Sequence, residues 1–302
     1  MTENLISGVT SEESIGFVGL GTMGALMAAN LAAKGFALSV WNRTPGRASA
    51  LKDLGVHEAN SPKELARRCT MIVTCLTDSP QVEVVLFGPD GLVDALAPGA
   101  LIVDCSTISP TRAVDFHDRL AAHGVSMIDA PVSGGTEGAK LATLTIMVGG
   151  DAKDVERATP VLRAMGTSVT HLGSIGSGQW AKAINQVILA GTYLAVAEGV
   201  TLGLKAGLDV EKIVDVLKGG AANSWVLANR SGRMIDDDYP LGFKISLHRK
   251  DLAIALDLAR EVGAVLPVSA MAAAFEDELI AEGHGDDDNS ALARPIRRRS
   301  GL

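Results

Sequence analysis

Lys182 stands near the start of "GQWAKAINQVILAGTYLAVAEG", residues 178–199, an almost wholly apolar stretch at helical spacing. A lysine in such a place has two uses. Its stem can lie on apolar surface while the ammonium reaches water. Alternatively it serves as a proton donor, because partial burial disfavours the charged form and brings proton release nearer neutrality. Gly178, Lys182, Asn185 and Gln186 recur at helical intervals, which brings them to one face of a helix. Two other stretches set small hydroxyls and glycines at the ends of strand-like runs. "DAPVSGG" (129–135) offers Ser133, Gly134 and Gly135, and "DCSTISP" (104–110) offers Ser106 and Thr107. Ligands of open α/β sheets bind beyond the carboxyl ends of the strands, so these groups could cradle a carboxylate. Either stretch could equally be a plain turn.

A third feature concerns phosphate. "SIGFVGL" (14–20) reads as a strand and runs into "GLGTMG", followed directly by the helical "ALMAANLAAKG". Gly19, Gly21 and Gly24 thus spell G-x-G-x-x-G between a strand and a helix, with Leu20, Thr22 and Met23 filling the loop. In that context the glycines permit a tight turn, close approach of backbone to a pyrophosphate and close helix–strand packing, and the helix N-terminus attracts the anion. The next strand ends "WNRTPGR". Asn42 stands where an NAD site wants an acid for the ribose hydroxyls, followed by Arg43, Thr44 and Arg47. A guanidinium binds a 2′-phosphate that an acid would repel, so NADP(H) is expected in preference to NAD(H).

The elements that must position these residues follow from periodicity. Runs at 14–20, 37–41, 71–76, 101–106, 125–130, 144–150 and 168–173 read as strands, with helical stretches at 22–34, 61–68, 79–86, 109–123 and 151–165 between them. Such alternation means a parallel sheet covered on both faces. Beyond Gly176 only helical patterns remain, at 177–206, 209–218, 224–235, 246–263 and 267–283. The expected organisation is an N-terminal extension (1–13), a dinucleotide-binding α/β domain (14–176), an all-helical domain (177–292) and a basic tail (293–302) read as solvated and frayed. With 302 residues the chain has room for two cores.

Composition narrows the partners. A net charge of −8 opposes a nucleic-acid partner. The N-terminus "MTENLISGVTSEES" is acidic and lacks an apolar core, unlike a signal peptide. The apolar run 187–204 carries Glu198 and several glycines, which suits a buried helix rather than a membrane span. Cys69, Cys75 and Cys105 lack metal spacing, and the six histidines form no HxxxH pair. A cytoplasmic protein with reduced thiols and no metal is expected.

Four stretches together carry a resemblance. The glycine loop, "DAPVSGG…ATLTIMVGG", "GSGQWAKAINQ" and "GFKISLHRKDL" resemble, in order and over nearly the whole chain, the signatures of the β-hydroxyacid dehydrogenase family. The resemblance implies a Rossmann-type doubly wound sheet joined by a long interdomain helix to an all-α domain, in a homodimer or homotetramer. It implies reduction of a small aldehyde-acid with NADPH, or one of the family's related chemistries: oxidation of 3-hydroxyisobutyrate or of a four-carbon sugar acid, or imine reduction. A non-catalytic NADP-binding protein is the reading from another class, and Lys182 speaks against it. By resemblance Lys182 is the general acid. Ser133, Gly134, Gly135, Thr107, Gln186, Asn185, Phe243 and Asp251 then bind substrate, with Phe243 walling the pocket. Leu76, Thr77, Thr107 and Lys250 join the glycine loop and Asn42–Arg47 around the cofactor. Trp225 in "AANSWVL" is expected in the core. One departure from the family pattern is Ala142-Thr143-Leu144, where "GTL" is usual.

Overall fold

The computed structural model describes residues 13–302, so all but the last residue of the expected N-terminal extension lies outside the described residues. The chain divides into two compact units, Met1–Lys182 and Ala183–Leu302.

The first unit is built on one sheet. Strands β1 (Ile15–Val18), β2 (Leu38–Trp41), β3 (His57–Glu58), β4 (Met71–Thr74), β5 (Leu101–Asp104) and β6 (Ser126–Asp129) are parallel, in the order β3-β2-β1-β4-β5-β6. The order reverses between β1 and β4, which makes a crevice at their carboxyl ends. Three more strands, β7 (Val132–Ser133), β8 (Leu144–Gly149) and β9 (Gly166–Gly173), extend the far edge. Here the all-parallel expectation needs correcting: β8 runs antiparallel to β6 and β7 and parallel only to β9. Both β6 and β7 pair antiparallel with β8, so β7 carries on in the direction of β6, and the chain turns back through the short helical segment 135–141 to enter β8 between them.

Helices α1 (Gly24–Ala33), α2 (Pro62–Ala66), α3 (Ser79–Phe87), α4 (Pro110–Ala121), α5 (Gly135–Leu141) and α6 (Ala152–Met165) cover the sheet. Strand residues alternate between two cores. Ile15, Phe17, Met71, Val73, Leu101 and Val103 pack with Met27 and Leu31 of α1 and with Ala158 and Leu162 of α6. Val18, Ile72 and Ile102 face the other way, onto Leu65, Val82, Leu86 and Phe116. Burial on both faces is why these strands read as continuous apolar runs rather than alternating ones. Local signals set the helix starts: Ser61 accepts from the Glu64 N–H ahead of α2, Asp78 accepts from the Ser79 N–H ahead of α3, and proline opens α2 and α4.

Helix α7 (Ser177–Lys205) begins in the first unit and continues into the second, which adds α8 (Val210–Leu217), α9 (Trp225–Asp236), α10 (Ile245–Val262), α11 (Pro267–Ala281) and α12 (Ala293–Arg299). By length and composition α7 could cross a membrane, yet its Ala190, Tyr193, Leu194 and Ala197 lie in the core of the second unit with Val226, Met234, Leu252, Ala272 and Leu279.

Two expectations fail in this unit. The basic run at 294–302 is not a frayed tail: it is helical over Ala293–Arg299, Ala293 and Pro295 are buried, and Arg298 and Arg299 pair with Glu278. Ahead of it the buried Asp288 accepts from the Phe243 and Ser290 N–H groups and pairs with Arg230 and Arg233 at 3.3 and 3.2 Å. Asp288 ahead of the run and Glu278 beside it are therefore what anchors the terminus. Trp225 is 46% exposed rather than core, with the Arg230 guanidinium 4.5 Å from its ring.

The departure at Ala142 also finds its place. Ala142 caps α5 in the left-handed region, at φ 54° and ψ 37°. A side chain is strained there by about 1 kcal/mol or more, whereas glycine is not. Ala142→Gly should stabilise the protein by about 0.5–1 kcal/mol, after the larger unfolded-state entropy of glycine is subtracted. Urea denaturation of the two proteins checks this.

Candidate active site

The three glycines of the first loop differ in what a side chain would meet. A Cβ on Gly19, which has φ 98°, would strike the Cys75 carbonyl, and one on Gly24 would strike the Gly19 carbonyl. At Gly21 a Cβ would meet nothing within 4 Å. The loop is closed where it turns and where α1 packs on β1, and open at its middle glycine. No side chain caps the N-terminus of α1 and no acid lies in its first turn. That surface fits the pyrophosphate of a dinucleotide.

Asn42 has a role that its position alone does not reveal. Its Oδ1 accepts from the Leu20 N–H at 2.8 Å and its Nδ2 donates to the Thr44 carbonyl at 2.9 Å. The amide thus ties the glycine loop to the turn after β2, on which Arg43, Thr44 and Arg47 are exposed. Leu76 and Thr77 follow β4, across the switch point from the glycine loop; Leu76 is half-buried and Thr77 exposed.

Thr107 is half-buried in the loop after β5. Ser106, which the sequence offered as a cradle hydroxyl, is buried instead, and its Oγ accepts from the Leu76 N–H at 2.9 Å. Asp104 below it accepts from Thr74 Oγ1 at 2.7 Å and from the Ser106 N–H at 3.1 Å, both on Oδ1. Its Oδ2 is buried without a partner among the described residues.

Asp129 ends β6 and holds the start of α7. Its Oδ1 accepts from the Gly176 N–H and its Oδ2 from the Gln179 N–H, both at 2.7 Å. A Cβ at Gly149 or Gly178 would collide with this carboxylate, so both positions must be bare. Burial holds the Asp129 carboxyl above its ordinary value in spite of those backbone bonds. Gln179 then reaches back to the β5 loop: Nε2 donates to the Ser106 carbonyl at 2.8 Å, and Oε1 accepts from the Ile108 N–H at 3.1 Å.

One turn further along α7, Lys182 is 7% exposed and its Nζ donates to the Val132 carbonyl at 2.8 Å. A surface snorkel is thereby excluded. The amine lies against the strand that leads into Ser133, Gly134 and Gly135, and these three turn into α5 with φ 131° at Gly134 and 63° at Gly135. The first unit therefore brings together the glycine loop, the β4 and β5 loops, the Ser133–Gly135 turn and Lys182.

The other candidates belong to the second unit. Gln186, on α7, donates from Nε2 to Asp251 Oδ2 at 2.6 Å and accepts from Asn185 Nδ2 at 2.6 Å. Lys250 pairs with Asp251 Oδ1 at 2.9 Å. Phe243 packs edge-on to His248, with ring centroids 6.1 Å apart. His248 is fully buried against Glu276, Nδ1 to Oε1 at 2.5 Å. Burial pushes the imidazole pKa down, but the hydrogen bond and charge of Glu276 outweigh it and hold the value above the ordinary one.

Sequence reading does not single out Asp129, Gln179, Asp104 or the His248–Glu276 pair. The only signal for Asp129, Gln179, Asp104 and His248 is that each sits inside a motif quoted for other residues.

These features agree with the relatives of the chain. A family profile described as the NAD binding domain of 6-phosphogluconate dehydrogenase matches residues 14–173, and one described as the NAD-binding domain of NADP-dependent 3-hydroxyisobutyrate dehydrogenase matches residues 176–296. The 2-hydroxy-3-oxopropionate reductase of Escherichia coli is 39% identical, over 93% of this chain and 96% of its own. The NAD-dependent L-serine dehydrogenase of Pseudomonas aeruginosa is 35% identical, over 93% and 97%. The structure of Mycobacterium tuberculosis 3-hydroxyisobutyrate dehydrogenase with L-serine superposes with a TM-score of 0.85 at 35% identity, covering 94% of this chain and 99% of that one. The chain belongs to the β-hydroxyacid dehydrogenase family, whose members are NAD(P)-dependent oxidoreductases acting on CH–OH groups.

Burial of Asp104 has a measurable consequence. Burial pushes its carboxyl from 3.8 up to about 6, against the opposing hydrogen bonds from Ser106 and Thr74. Between those two values the folded state holds a proton that the unfolded chain has released, so this group lowers stability as pH rises through the window. Asp104→Asn keeps the acceptor facing Thr74 and Ser106 and removes the titration. Relative to the parent protein it should gain on the order of 2–3 kcal/mol between acid and neutral pH. Urea denaturation at the two ends of that window checks the sign.

Proposed function

We propose that this enzyme reduces a small aldehyde-acid, of the tartronate semialdehyde, glyoxylate or succinic semialdehyde type, to the hydroxy acid with NADPH, and that Lys182 is its general acid. The observation that carries this reading is the buried Lys182 amine, held at 2.8 Å by the Val132 carbonyl beside the Ser133–Gly135 turn. When bound, the dinucleotide supplies a hydride to the carbonyl carbon. The charge that develops on the carbonyl oxygen calls for a proton, and Lys182 Nζ delivers it. The Ser133 hydroxyl and the backbone of Gly134 and Gly135 bind the substrate carboxylate, with Thr107 at its side. Gln186, one turn after Lys182 on the same helix and steadied by Asp251, is the residue that the family resemblance assigns to orienting the substrate. Asn185, Lys250 and Phe243, all of the second unit, are the further substrate and cofactor residues that the family resemblance assigns.

In the reverse direction the same groups oxidise a β-hydroxy acid, Lys182 then accepting the hydroxyl proton. The L-serine in the related mycobacterial structure supports this second reading. The exposed apolar residues Ile184, Ile188 and Leu202 on α7 and Val265, Val268 and Met271 near the start of α11 support a homodimer or homotetramer.

Lys182→Met keeps side-chain length and removes the proton donor. The variant should fold and bind NADPH as the parent does, while kcat falls by roughly a hundredfold to ten-thousandfold. Side-by-side NADPH consumption with glyoxylate, tartronate semialdehyde, succinic semialdehyde and methylmalonate semialdehyde identifies the substrate for that measurement. Retained kcat on the best of them would remove Lys182 from the mechanism.

Cofactor preference rests on Arg43 and Arg47, exposed on the turn after β2, and on the neutral Asn42. Arg43→Ala combined with Asn42→Asp should move preference toward NADH by about tenfold to a hundredfold, the worth of one charge-assisted contact. Ratios of kcat/KM for the two cofactors measure it. Equal efficiency in the unsubstituted enzyme would overturn the assignment.

A further inference from the structure

We propose that Gln179 is a positioning residue for proton transfer, fixing the Lys182 turn of α7 to the β5 loop that borders the dinucleotide site. This rests on the reading of Lys182 as the general acid, and goes beyond it by naming what holds the amine in register.

Gln179 is 1% exposed, and both polar atoms of its amide meet backbone groups of one irregular segment, the Ser106 carbonyl and the Ile108 N–H. That segment, between β5 and α4, carries Thr107. The adjacent Ser106 Oγ accepts from the Leu76 N–H of the β4 loop. From the other side, the Gln179 N–H donates to Asp129, whose second oxygen holds Gly176. Three residues after Asp129, the Val132 carbonyl accepts from Lys182 itself. The β4 loop, the β5 loop and the first turn of α7 are thus joined by hydrogen bonds, the Lys182 amine is held on the strand that continues from Asp129, and Gln179 is the link through which the helix meets the loop.

The geometry of that link matches its task. A carboxamide donates to a carbonyl from its nitrogen while its oxygen, a separate atom, accepts from an N–H. A carboxylate at 179 would face the Ser106 carbonyl with an oxygen, and an apolar side chain would leave both backbone groups unmet. Either change frees the helix start to move relative to the loop. Displacements of about 1 Å are enough to lower a rate by about a hundredfold when donor and acceptor must be aligned.

The test uses Gln179→Met and the closer-fitting Gln179→Glu in the full-length protein, with Lys182→Met beside them. In the cofactor-free variants, amide hydrogen exchange over residues 104–110 and 176–182 should quicken while the strands β1 and β4 keep their protection. NADPH affinity, read by fluorescence titration, should fall far less than kcat, because the glycine loop and the Asn42–Arg47 turn are untouched although the loosened loop carries Thr107. With the substrate found above, kcat should fall by about tenfold to a hundredfold with KM changed far less, and the primary isotope effect from 4-deuterated NADPH should rise as transfer becomes limiting. A Gln179→Glu protein with parental kcat, or one whose loss of kcat is matched by an equal loss of NADPH affinity, overturns the proposal. If Lys182→Met retains its kcat, the proton-donor reading fails instead, whatever Gln179 does. A severe loss in Lys182→Met with parental Gln179 variants defeats only the positioning role.

Discussion

The carboxylate of Asp129 is the point on which the candidate site depends. It sits at the carboxyl end of β6 and accepts the first free N–H groups of α7, which every helix start must lodge somewhere. An acid in that place also faces the positive end of the helix dipole. The arrangement requires bare backbone on both sides, which Gly149 and Gly178 provide. Because the sheet holds Asp129 rigidly through its pairing with β5, the direction of α7 at its origin is set by the sheet, and Lys182 inherits that direction one turn later.

Around this point the first unit resolves a general difficulty. Loops at strand ends must stay open to ligand, yet their backbone groups must be satisfied and their positions reproducible. Here side chains from elsewhere do the satisfying: Asn42 for the Leu20 N–H, Ser106 for the Leu76 N–H, Asp104 for the Ser106 N–H and Gln179 for the Ser106 carbonyl and the Ile108 N–H. Gly21 is left with empty space beside it, the one loop glycine of its motif where a ligand backbone contact remains open.

The second unit uses buried charge differently. Asp251 receives Gln186 and Lys250, His248 receives Glu276, and Asp288 receives Arg230 and Arg233. Buried ion pairs add little net stability over apolar packing but are costly to break, so they define which arrangement of helices is allowed. Asp288 also shows why the chain's last residues are ordered: it gathers backbone N–H groups from two segments, 243 and 290, and the final helix follows directly.

What the sequence determined by itself was everything carried by local periodicity and by short motifs. Strand–turn–helix order, the glycine loop, the expectation of an α/β unit followed by helices, and Lys182 as the residue to explain were all legible, because spacing along the chain encodes which faces are buried and which turns are tight. The mixed edge of the sheet was not, since β7 is two residues long and β8 turns back antiparallel to β6 and β7 through pairings that no local pattern encodes. Nor was the fate of Trp225 or of the arginine-rich terminus, because an aromatic ring or a charge run reads the same whether or not a partner waits in another element. Asp129, Gln179 and Asp104 look in sequence like ordinary turn and helix residues. Their roles arise from hydrogen bonds to groups 30 to 73 positions away, and a bond between distant segments exists only once folding has set those segments side by side.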